Sequence, residues 1–253
     1  MSLVLIAMHG WAGDHRAWDP WGQAAARRGW SLQTGERGYG RQAVRWPHWQ
    51  GGGGAVLVHS LGLHLLASEV WGQARAVVLL ASFGAFVPPG ASGRRTRAAL
   101  QAMANRIEQG ELASLLDDFL TRAAAPAERN QLPPGVAQEG SDPAGVARLL
   151  EDLALLGRCD GLPAAFPATV PVLIVEAGAD QIVPAASQQL LRQALPQAVV
   201  WSLGGIGHSL LGTPLIDPVL DWLAQALADP SQNHGRAPSP PSPPSPPSPP
   251  SHG

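Results

Sequence analysis

Six short apolar runs alternate with segments of helical pattern, and this alternation constrains the fold more than any other feature of the chain. Most of the runs are continuously apolar, as in parallel strands that helices cover on both faces. The predicted strands are residues 3–8, 30–34, 55–59, 76–81, 171–177 and 198–203. The predicted helices between them are residues 16–28, 61–72, 184–195 and 214–228. The sequence therefore predicts an α/β fold with a doubly wound, mostly parallel sheet of about six strands.

The alternation stops after the fourth predicted strand. Helical patterns recur there near residues 92–109, 111–124 and 143–157, without a run that resembles a strand. A helical insertion at this place would cover the carboxyl ends of the strands, where ligands bind in such folds. We predict a core of residues 1–85 and 166–228, with residues 86–165 inserted as a helical cap. Residues 229–253 contain a Ser-Pro-Pro repeat from Ser239 onward and are predicted to form a disordered tail.

The composition excludes several classes of function. Charged residues make up 14% of the chain and the formal net charge is −2, so neither nucleic acid nor an anionic membrane is expected as a partner. All 17 basic residues are arginines, which excludes a pyridoxal phosphate Schiff base and a P-loop lysine. Cys159 is the only cysteine, which fits a reducing cytoplasm. We expect a cytoplasmic monomer without a cofactor.

Ser60 lies between the third predicted strand and the helix that follows it, in the stretch Val58-His59-Ser60-Leu61-Gly62. A serine on such a sharp turn projects its hydroxyl above the edge of the sheet. The usual pattern at this turn is G-x-S-x-G, and here Val58 replaces the first glycine while Gly62 keeps the second. We interpret Ser60 as a nucleophile, with Val58 requiring a slightly wider crossing of strand and helix.

Two further residues follow predicted strands and complete a set for acyl transfer. Asp180 follows the fifth strand, and His208 follows the sixth in a glycine-rich loop. A serine nucleophile needs a base and a carboxylate that orients the base, and the carboxyl ends of parallel strands share one edge of a sheet. The sequence therefore predicts Ser60, Asp180 and His208 as the catalytic residues. Glu176 is the alternative carboxylate, although it lies inside its predicted strand.

The donors for an oxyanion are expected at the end of the first strand and just after Ser60. The glycine of "MHGW" allows the backbone to turn its amides toward the site. We predict the backbone N–H groups of Trp11 and Leu61 as the pair. His9 is a candidate substrate-binding residue or a residue that shapes the loop, and His59 is a candidate pocket residue. No cluster of cysteines or histidines supports a metal site.

These motifs resemble the α/β-hydrolase fold superfamily across residues 1–228. Within it, "HGWAGDHRAW", "HSLG", "GADQIVP" and "GIGH" are most similar to the pimeloyl-[acyl-carrier protein] methyl ester esterases of biotin synthesis. The resemblance implies that the amide of Trp11 binds the oxyanion. Trp18 matches a tryptophan seven positions after Trp11 in the family's motif and is a candidate substrate-binding residue. The chain begins at the strand before His9, so the leading strands of larger hydrolases are expected to be missing.

The resemblance also implies a substrate. Such an enzyme would cleave a methyl ester from a pimeloyl chain held on acyl carrier protein, which is acidic. Arg94, Arg95 and Arg97, at the start of the predicted cap, are candidate contacts for it, since guanidinium groups suit phosphate and carboxylate. Two alternatives stay open: an esterase, thioesterase or lactonase for another small acyl substrate, and a binding protein that keeps the fold without turnover.

Overall fold

The computed structural model describes residues 3–212 and 214–228. Its strands are β1 (Val4–Met8), β2 (Ser31–Thr34), β3 (Ala55–His59), β4 (Ala76–Leu80), β5 (Val172–Ala177) and β6 (Val199–Leu203). They form one sheet in the order β2-β1-β3-β4-β5-β6, and every pair is parallel. The predicted doubly wound sheet of six strands is confirmed. The predicted tail, residues 229–253, lies outside the described residues.

The sheet separates two apolar layers because successive strand residues point to opposite faces. Leu5 and Leu57 pack on one face with α1 (Asp19–Arg27) and α9 (Ile216–Ala228). Ile6 and Val56 pack on the other face. The helices on that face are α2 (Gly62–Leu65), α3 (Ser68–Trp71) and α8 (Ala185–Ala194). Burial on both faces explains why β1, β3, β4 and β5 read as continuous apolar runs in the sequence, whereas the edge strands β2 and β6 are partly exposed.

The predicted helix 61–72 is two separate turns of helix. Leu66 and Ala67, between α2 and α3, are extended, with ψ angles of 144° and 154°. Tertiary contacts outweigh helical propensity here: Trp71 is fully buried, and Trp49 donates its indole N–H to the carbonyl of Val70 at 2.9 Å. The chain therefore leaves the turn at Ser60 through a single short helix.

Helices fill the segment between β4 and β5. They are α4 (Gly90–Glu108), α5 (Leu112–Ala124), α6 (Val136–Glu139) and α7 (Pro143–Arg158), with a 3-10 turn at Arg129–Gln131. The sequence analysis did not predict α6. An isolated bridge between Ala85 and Asp160 brings the two ends of the segment together. We call residues 86–165 the cap, in keeping with the predicted boundaries.

Helix α7 is anchored to the loops that follow β1 and β2. The indole of Trp11 donates to the carbonyl of Leu149 at 3.0 Å. The buried carboxylate of Asp152 accepts hydrogen bonds from Tyr39 at 2.6 Å and from Arg37 at 2.8 Å. Hydrogen bonds to a buried charge are stronger than neutral ones, so these contacts fix the cap above the carboxyl ends of the strands. Among the described residues, none of the helices combines the length and the apolar character needed to cross a bilayer.

Candidate active site

Ser60 occupies a strained turn at the point where the strand order reverses. The chain runs from β1 outward to β2 and then returns to β3 on the other side of β1, which places a crevice between the ends of β1 and β3. Ser60 follows β3 directly and has a φ of +54°, which is unfavourable for a residue with a Cβ atom. Its backbone N–H is held by the carbonyl of Leu80 at 2.9 Å. This strand–turn–helix geometry is typical of a nucleophile elbow.

Two glycines permit the close packing around this turn. A Cβ atom on Gly62 would lie 2.5 Å from the carbonyl oxygen of Met8, and one on Gly10 would lie 2.8 Å from the Cβ of Ser60. Val58, which takes the place of the first elbow glycine, is fully buried in the core cluster that also contains Met8. The branched side chain is therefore part of the core below the turn.

His208 and Asp180 form a buried pair at the ends of β6 and β5. Nδ1 of His208 lies 2.8 Å from Oδ2 of Asp180, and the two side chains are 3% and 1% exposed. The other carboxylate oxygen accepts the N–H groups of Ile182 and Val183 at 2.7 and 2.9 Å. Burial raises the pKa of the Asp180 carboxyl, but the interaction with His208 and the two N–H groups outweigh burial and lower the pKa. With the proton on Nδ1, the Nε2 of His208 carries a lone pair.

Ser60 and His208 line the same small cavity. In this conformation the Ser60 hydroxyl makes no hydrogen bond within the described part of the chain. Hydrogen bonds between a nucleophile and its base are often long or absent until a substrate is bound. The structure thus brings the three predicted catalytic residues to one edge of the sheet, with the imidazole of His208 oriented by Asp180.

Glu176, the alternative carboxylate, has other partners. Both of its oxygens accept from Nη1 of Arg192, at 2.5 and 2.7 Å, and one of them accepts from Ser202 at 3.1 Å. These bonds join β5 to α8 and β6. Glu176 therefore stabilises the edge of the sheet, whereas Asp180 is the carboxylate beside His208.

The predicted oxyanion donors remain available. Within residues 3–212 and 214–228, the backbone N–H groups of Trp11 and Leu61 donate to no protein acceptor. Trp11 follows Gly10, which packs against Ser60, and Leu61 is the next residue after Ser60. Two N–H groups without a protein acceptor in the described part of the chain therefore belong to residues adjoining Ser60 or its neighbour Gly10, and an oxyanion hole is built from such donors.

His9 and Trp18, both candidate substrate contacts from the sequence, are buried, and His9 lines the small cavity beside Ser60. The buried ring of His9 donates from Nδ1 to the carbonyl of Gly10 at 2.9 Å, and its Nε2 accepts the N–H of Arg37 at 3.1 Å. Both ring nitrogens are thus used to shape the loop after β1. Trp18 is fully buried against Trp21, at 5.4 Å between ring centroids, and lines neither cavity at Ser60. Core packing prevents Trp18 from reaching a substrate there.

Two cavities of very different size meet at Ser60. The larger one has a volume of about 600 Å³ and extends between the cap and the core. Its apolar lining includes Leu100, Met103, Leu115, Phe119 and Leu156. The smaller cavity, of about 80 Å³, is lined by His59, His208 and residues 132–135. His208 lines the small cavity and does not line the large one.

Arginines also line the large cavity. Arg94, Arg95 and Arg97, the three arginines predicted from the sequence, are all exposed on α4, and of these only Arg95 lines the cavity. Arg106 and Arg122 line it as well. Arg106 was missed by the sequence analysis, although it follows Arg95 by eleven residues, a helical spacing that places both on one face of α4.

The arginines differ in their partners. Arg106 is paired with Asp118 at 2.8 Å and Glu111 at 3.3 Å. Arg95 and Arg122 have no acidic partner within the described residues. The lining therefore contains two guanidinium groups whose charge is not balanced by a protein carboxylate.

His59 lies beside His208 at the small cavity. The ring centroids are 4.9 Å apart, and Nε2 of His59 lies 3.0 Å from the backbone carbonyl of His208. Burial, followed by the positive charge of a protonated His208, lowers the pKa of His59 to about 3. His59 is therefore neutral at physiological pH, and its Nε2 donates to the carbonyl.

One group of potential metal ligands lies outside this site. Within the described residues, Asp14, His15 and Glu36 bring their ligand atoms close together. Arg16 already donates to both oxygens of Asp14, and backbone N–H groups of His15 and Gly38 donate to the two oxygens of Glu36. The carboxylates are thus engaged by protein donors, and we assign no metal to them.

Solved structures of hydrolases share this fold. A thermophilic esterase from Thermogutta terrifontis matches with a TM-score of 0.66 and 14% identity, over 89% of this chain and 91% of that one. A hydrolase from Oleispira antarctica matches with a TM-score of 0.68 and 12% identity, over 88% and 92%. An enol-lactonase from Burkholderia xenovorans matches with a TM-score of 0.57 and 14% identity, over 90% and 92%. No protein-family model and no curated protein matches the sequence. The chain has the α/β-hydrolase fold.

Proposed function

We propose that the protein is a serine-dependent carboxylic ester hydrolase. The observation that carries the proposal is the buried Asp180–His208 pair, which lies at the small cavity that Ser60 also lines. The esterases and hydrolases among the structural neighbours support the same chemistry. Ser60 is the nucleophile, His208 the base and Asp180 the residue that orients the base.

The mechanism follows from the positions of these groups. The hydroxyl of Ser60 gives its proton to Nε2 of His208 as its oxygen attacks the ester carbonyl. The N–H groups of Trp11 and Leu61 stabilise the negative charge that develops on the carbonyl oxygen. The intermediate expels the alcohol, which takes the proton from His208. A water molecule activated by His208 then releases the acid and restores Ser60.

The two cavities suggest which part of the ester lies where. The leaving alcohol must receive a proton from His208, so it must lie in the cavity that this residue lines. That cavity, at about 80 Å³, suits an alcohol of one or two carbons. The acyl chain then enters the apolar cavity of about 600 Å³. We infer that the preferred substrates are esters of a short alcohol with a longer acyl chain.

A pimeloyl methyl ester carried on acyl carrier protein fits this division. Its methoxy group would occupy the small cavity and its chain the large one. Arg95 and Arg122, without acidic partners in the described part of the chain, offer charge for the phosphate of the carrier's arm. The sequence motifs point to the same substrate, so we propose it as the natural one.

Hydrolysis is tested with p-nitrophenyl butyrate and with labelling by a fluorophosphonate. The p-nitrophenolate anion leaves without a proton from His208, so it need not occupy the small cavity. The wild type should hydrolyse the ester and become labelled, and Ser60→Ala should do neither. Ser82→Ala is the matched control, because Ser82 is also buried just after a strand but lines neither cavity. Labelling of Ser60→Ala, or its absence in the wild type, would contradict the assignment of the nucleophile.

The acyl substrate is tested by comparing the KM for pimeloyl methyl ester on acyl carrier protein with the KM for dimethyl pimelate, which has no carrier. Arg95→Gln and Arg122→Gln should each raise KM for the carrier-bound ester by about 3- to 10-fold, as expected for one charged contact. Arg97→Gln is the matched control, since Arg97 is exposed on the same helix away from the cavity. Equal KM values for all three variants would remove carrier recognition from the proposal and leave ester hydrolysis intact.

A lactonase is the second candidate. The enol-lactonase among the neighbours and the single space formed by two joined cavities favour it. Its substrate keeps the leaving oxygen attached to the acyl part, so one molecule would have to fill both cavities. Turnover of a lactone in preference to an acyclic methyl ester of equal length would select this alternative. A binding protein without turnover would fail the fluorophosphonate test.

A further inference from the structure

His59 connects the nucleophile turn with the loop that carries the base. It is the last residue of β3 and directly precedes Ser60. Its ring donates to the backbone carbonyl of His208 at 3.0 Å, although the two residues are 149 positions apart in sequence. The mechanism above uses neither this ring nor this hydrogen bond.

The loop that holds His208 needs such a tie. Three of the four residues before His208 are glycines, and Gly205 has a φ of +71°. Glycine has more conformational freedom than other residues, so the chain alone does not fix the position of the imidazole. Two other bonds hold the loop from its sides: Ala179 donates to Ile206 at 2.9 Å, and Ser209 donates to the carbonyl of Ala123 at 3.0 Å. The bond from His59 joins this loop to β3, the strand that ends directly before Ser60.

The ring can serve this purpose throughout a reaction cycle. It is neutral at physiological pH, so it adds no positive charge beside the imidazolium that forms on His208. Its donor at Nε2 is directed to a backbone carbonyl and does not compete for the side chain of His208. A histidine here therefore fixes distance and orientation without changing the charge of the site.

We propose that His59 is a positioning residue, which holds His208 in register with Ser60 through the backbone carbonyl of His208. The inference rests on the proposed function for its kinetic consequence. Its structural content is independent: without a donor at this place, the imidazole of His208 loses its fixed position against Asp180.

The test compares His59→Gln with His59→Leu, because glutamine can place an N–H where Nε2 lies and leucine cannot. With p-nitrophenyl butyrate, His59→Leu should lower kcat by about 10- to 100-fold with KM changed by less than about threefold, as expected for a misplaced base. His59→Gln should restore at least half of the lost factor on a logarithmic scale. Thermal unfolding of each variant shows whether it is folded.

His64 provides the matched control on the other side of the turn. Its ring also donates to a backbone carbonyl, that of Phe83 at 2.9 Å, and stacks on the phenyl ring at 5.5 Å. His64→Leu removes an equivalent hydrogen bond without contact to His208. We expect its kcat to stay within about threefold of the wild type, because no reacting group is moved.

A second readout does not depend on turnover. In a proton NMR spectrum, the Nδ1–H of His208 bonded to Asp180 should give a low-field signal that is sheltered from exchange. The signal should persist in His59→Gln and His64→Leu and broaden or vanish in His59→Leu. Its persistence in folded His59→Leu would overturn the positioning role. Absence of turnover in the wild type would overturn only the proposed function.

Discussion

Replacing Asp180 with asparagine exchanges one carboxylate oxygen for an NH₂ group, and the surrounding hydrogen bonds determine which one. One oxygen accepts two backbone N–H groups, from Ile182 and Val183, while the other faces Nδ1 of His208. The amide must keep its oxygen toward the two N–H donors. The opposite orientation would leave both of them unpaired in a buried site, at a cost of about 1–3 kcal/mol each.

In the orientation that remains, the NH₂ group points at His208. A donor there requires Nδ1 to accept, so the proton of the neutral imidazole moves to Nε2. An Nε2 that carries a proton cannot take the proton of Ser60. The variant should therefore keep the shape of the site and lose the base.

The expected loss is large. A base held in the wrong tautomer lowers kcat by about 10⁴-fold in serine hydrolases that use such a triad, which corresponds to about 5.5 kcal/mol of activation free energy. Asn and Asp have nearly the same shape, so the variant should remain folded. The assay is steady-state hydrolysis of p-nitrophenyl butyrate, with thermal unfolding measured in parallel.

Glu176→Gln is the matched control, since it makes the same kind of change, carboxylate to amide, on β5, the strand that precedes Asp180. Glu176 bonds to Arg192, whose side chain is 42% exposed, so the change should cost about 1 kcal/mol or less of stability. Its kcat should stay within about threefold of the wild type. A folded Asp180→Asn variant with more than a tenth of the wild-type kcat would refute the orientation argument. Equal losses in the two variants would do so as well.

Three further predictions concern the turn around Ser60. Gly62→Ala should lower the free energy of unfolding by about 1–3 kcal/mol, because its Cβ would lie 2.5 Å from the backbone oxygen of Met8; an unchanged urea midpoint would contradict this. His59, with a pKa of about 3 in the fold and 6.5 ordinarily, binds a proton only in the unfolded chain as pH falls below 6.5. Because only the unfolded chain gains this proton, the free energy of unfolding should fall by about 2 kcal/mol from pH 7.5 to pH 5. Urea titrations should show a smaller fall for His59→Gln. Val58→Gly should destabilise the protein by about 2–4 kcal/mol without raising kcat, since it empties a fully buried position; a faster enzyme would show that valine limits the elbow.

The sheet could be predicted from sequence because its strands are buried on both faces. The run at residues 55–59 coincides with β3, and the run at 171–177 differs from β5 by one residue. The break at Leu66 and Ala67 could not be predicted, because it depends on the burial of Trp71 and on a bond from Trp49. Local propensity contains no information about such distant contacts.

The meeting of Asp180 and His208 could also be predicted, since both follow parallel strands whose carboxyl ends share one edge of the sheet. The division of space at Ser60 could not, because cap residues such as Phe119 and residues 132–135 form the walls. For Trp18 the sequence motif was misleading: its spacing from Trp11 matched the family's motif, but its side chain is buried in the core.

The packing around Ser60 explains why valine can stand at position 58, where the usual pattern has glycine. A glycine is required where backbone or Cβ atoms approach closely, and here these approaches occur at Gly62, over the oxygen of Met8, and at Gly10, against Ser60. Position 58 lies in register between Met8 and Leu79, and its side chain enters the core cluster. The physical constraint at the elbow is close approach, and this chain satisfies it with glycines on both sides of the serine while valine adds to the core.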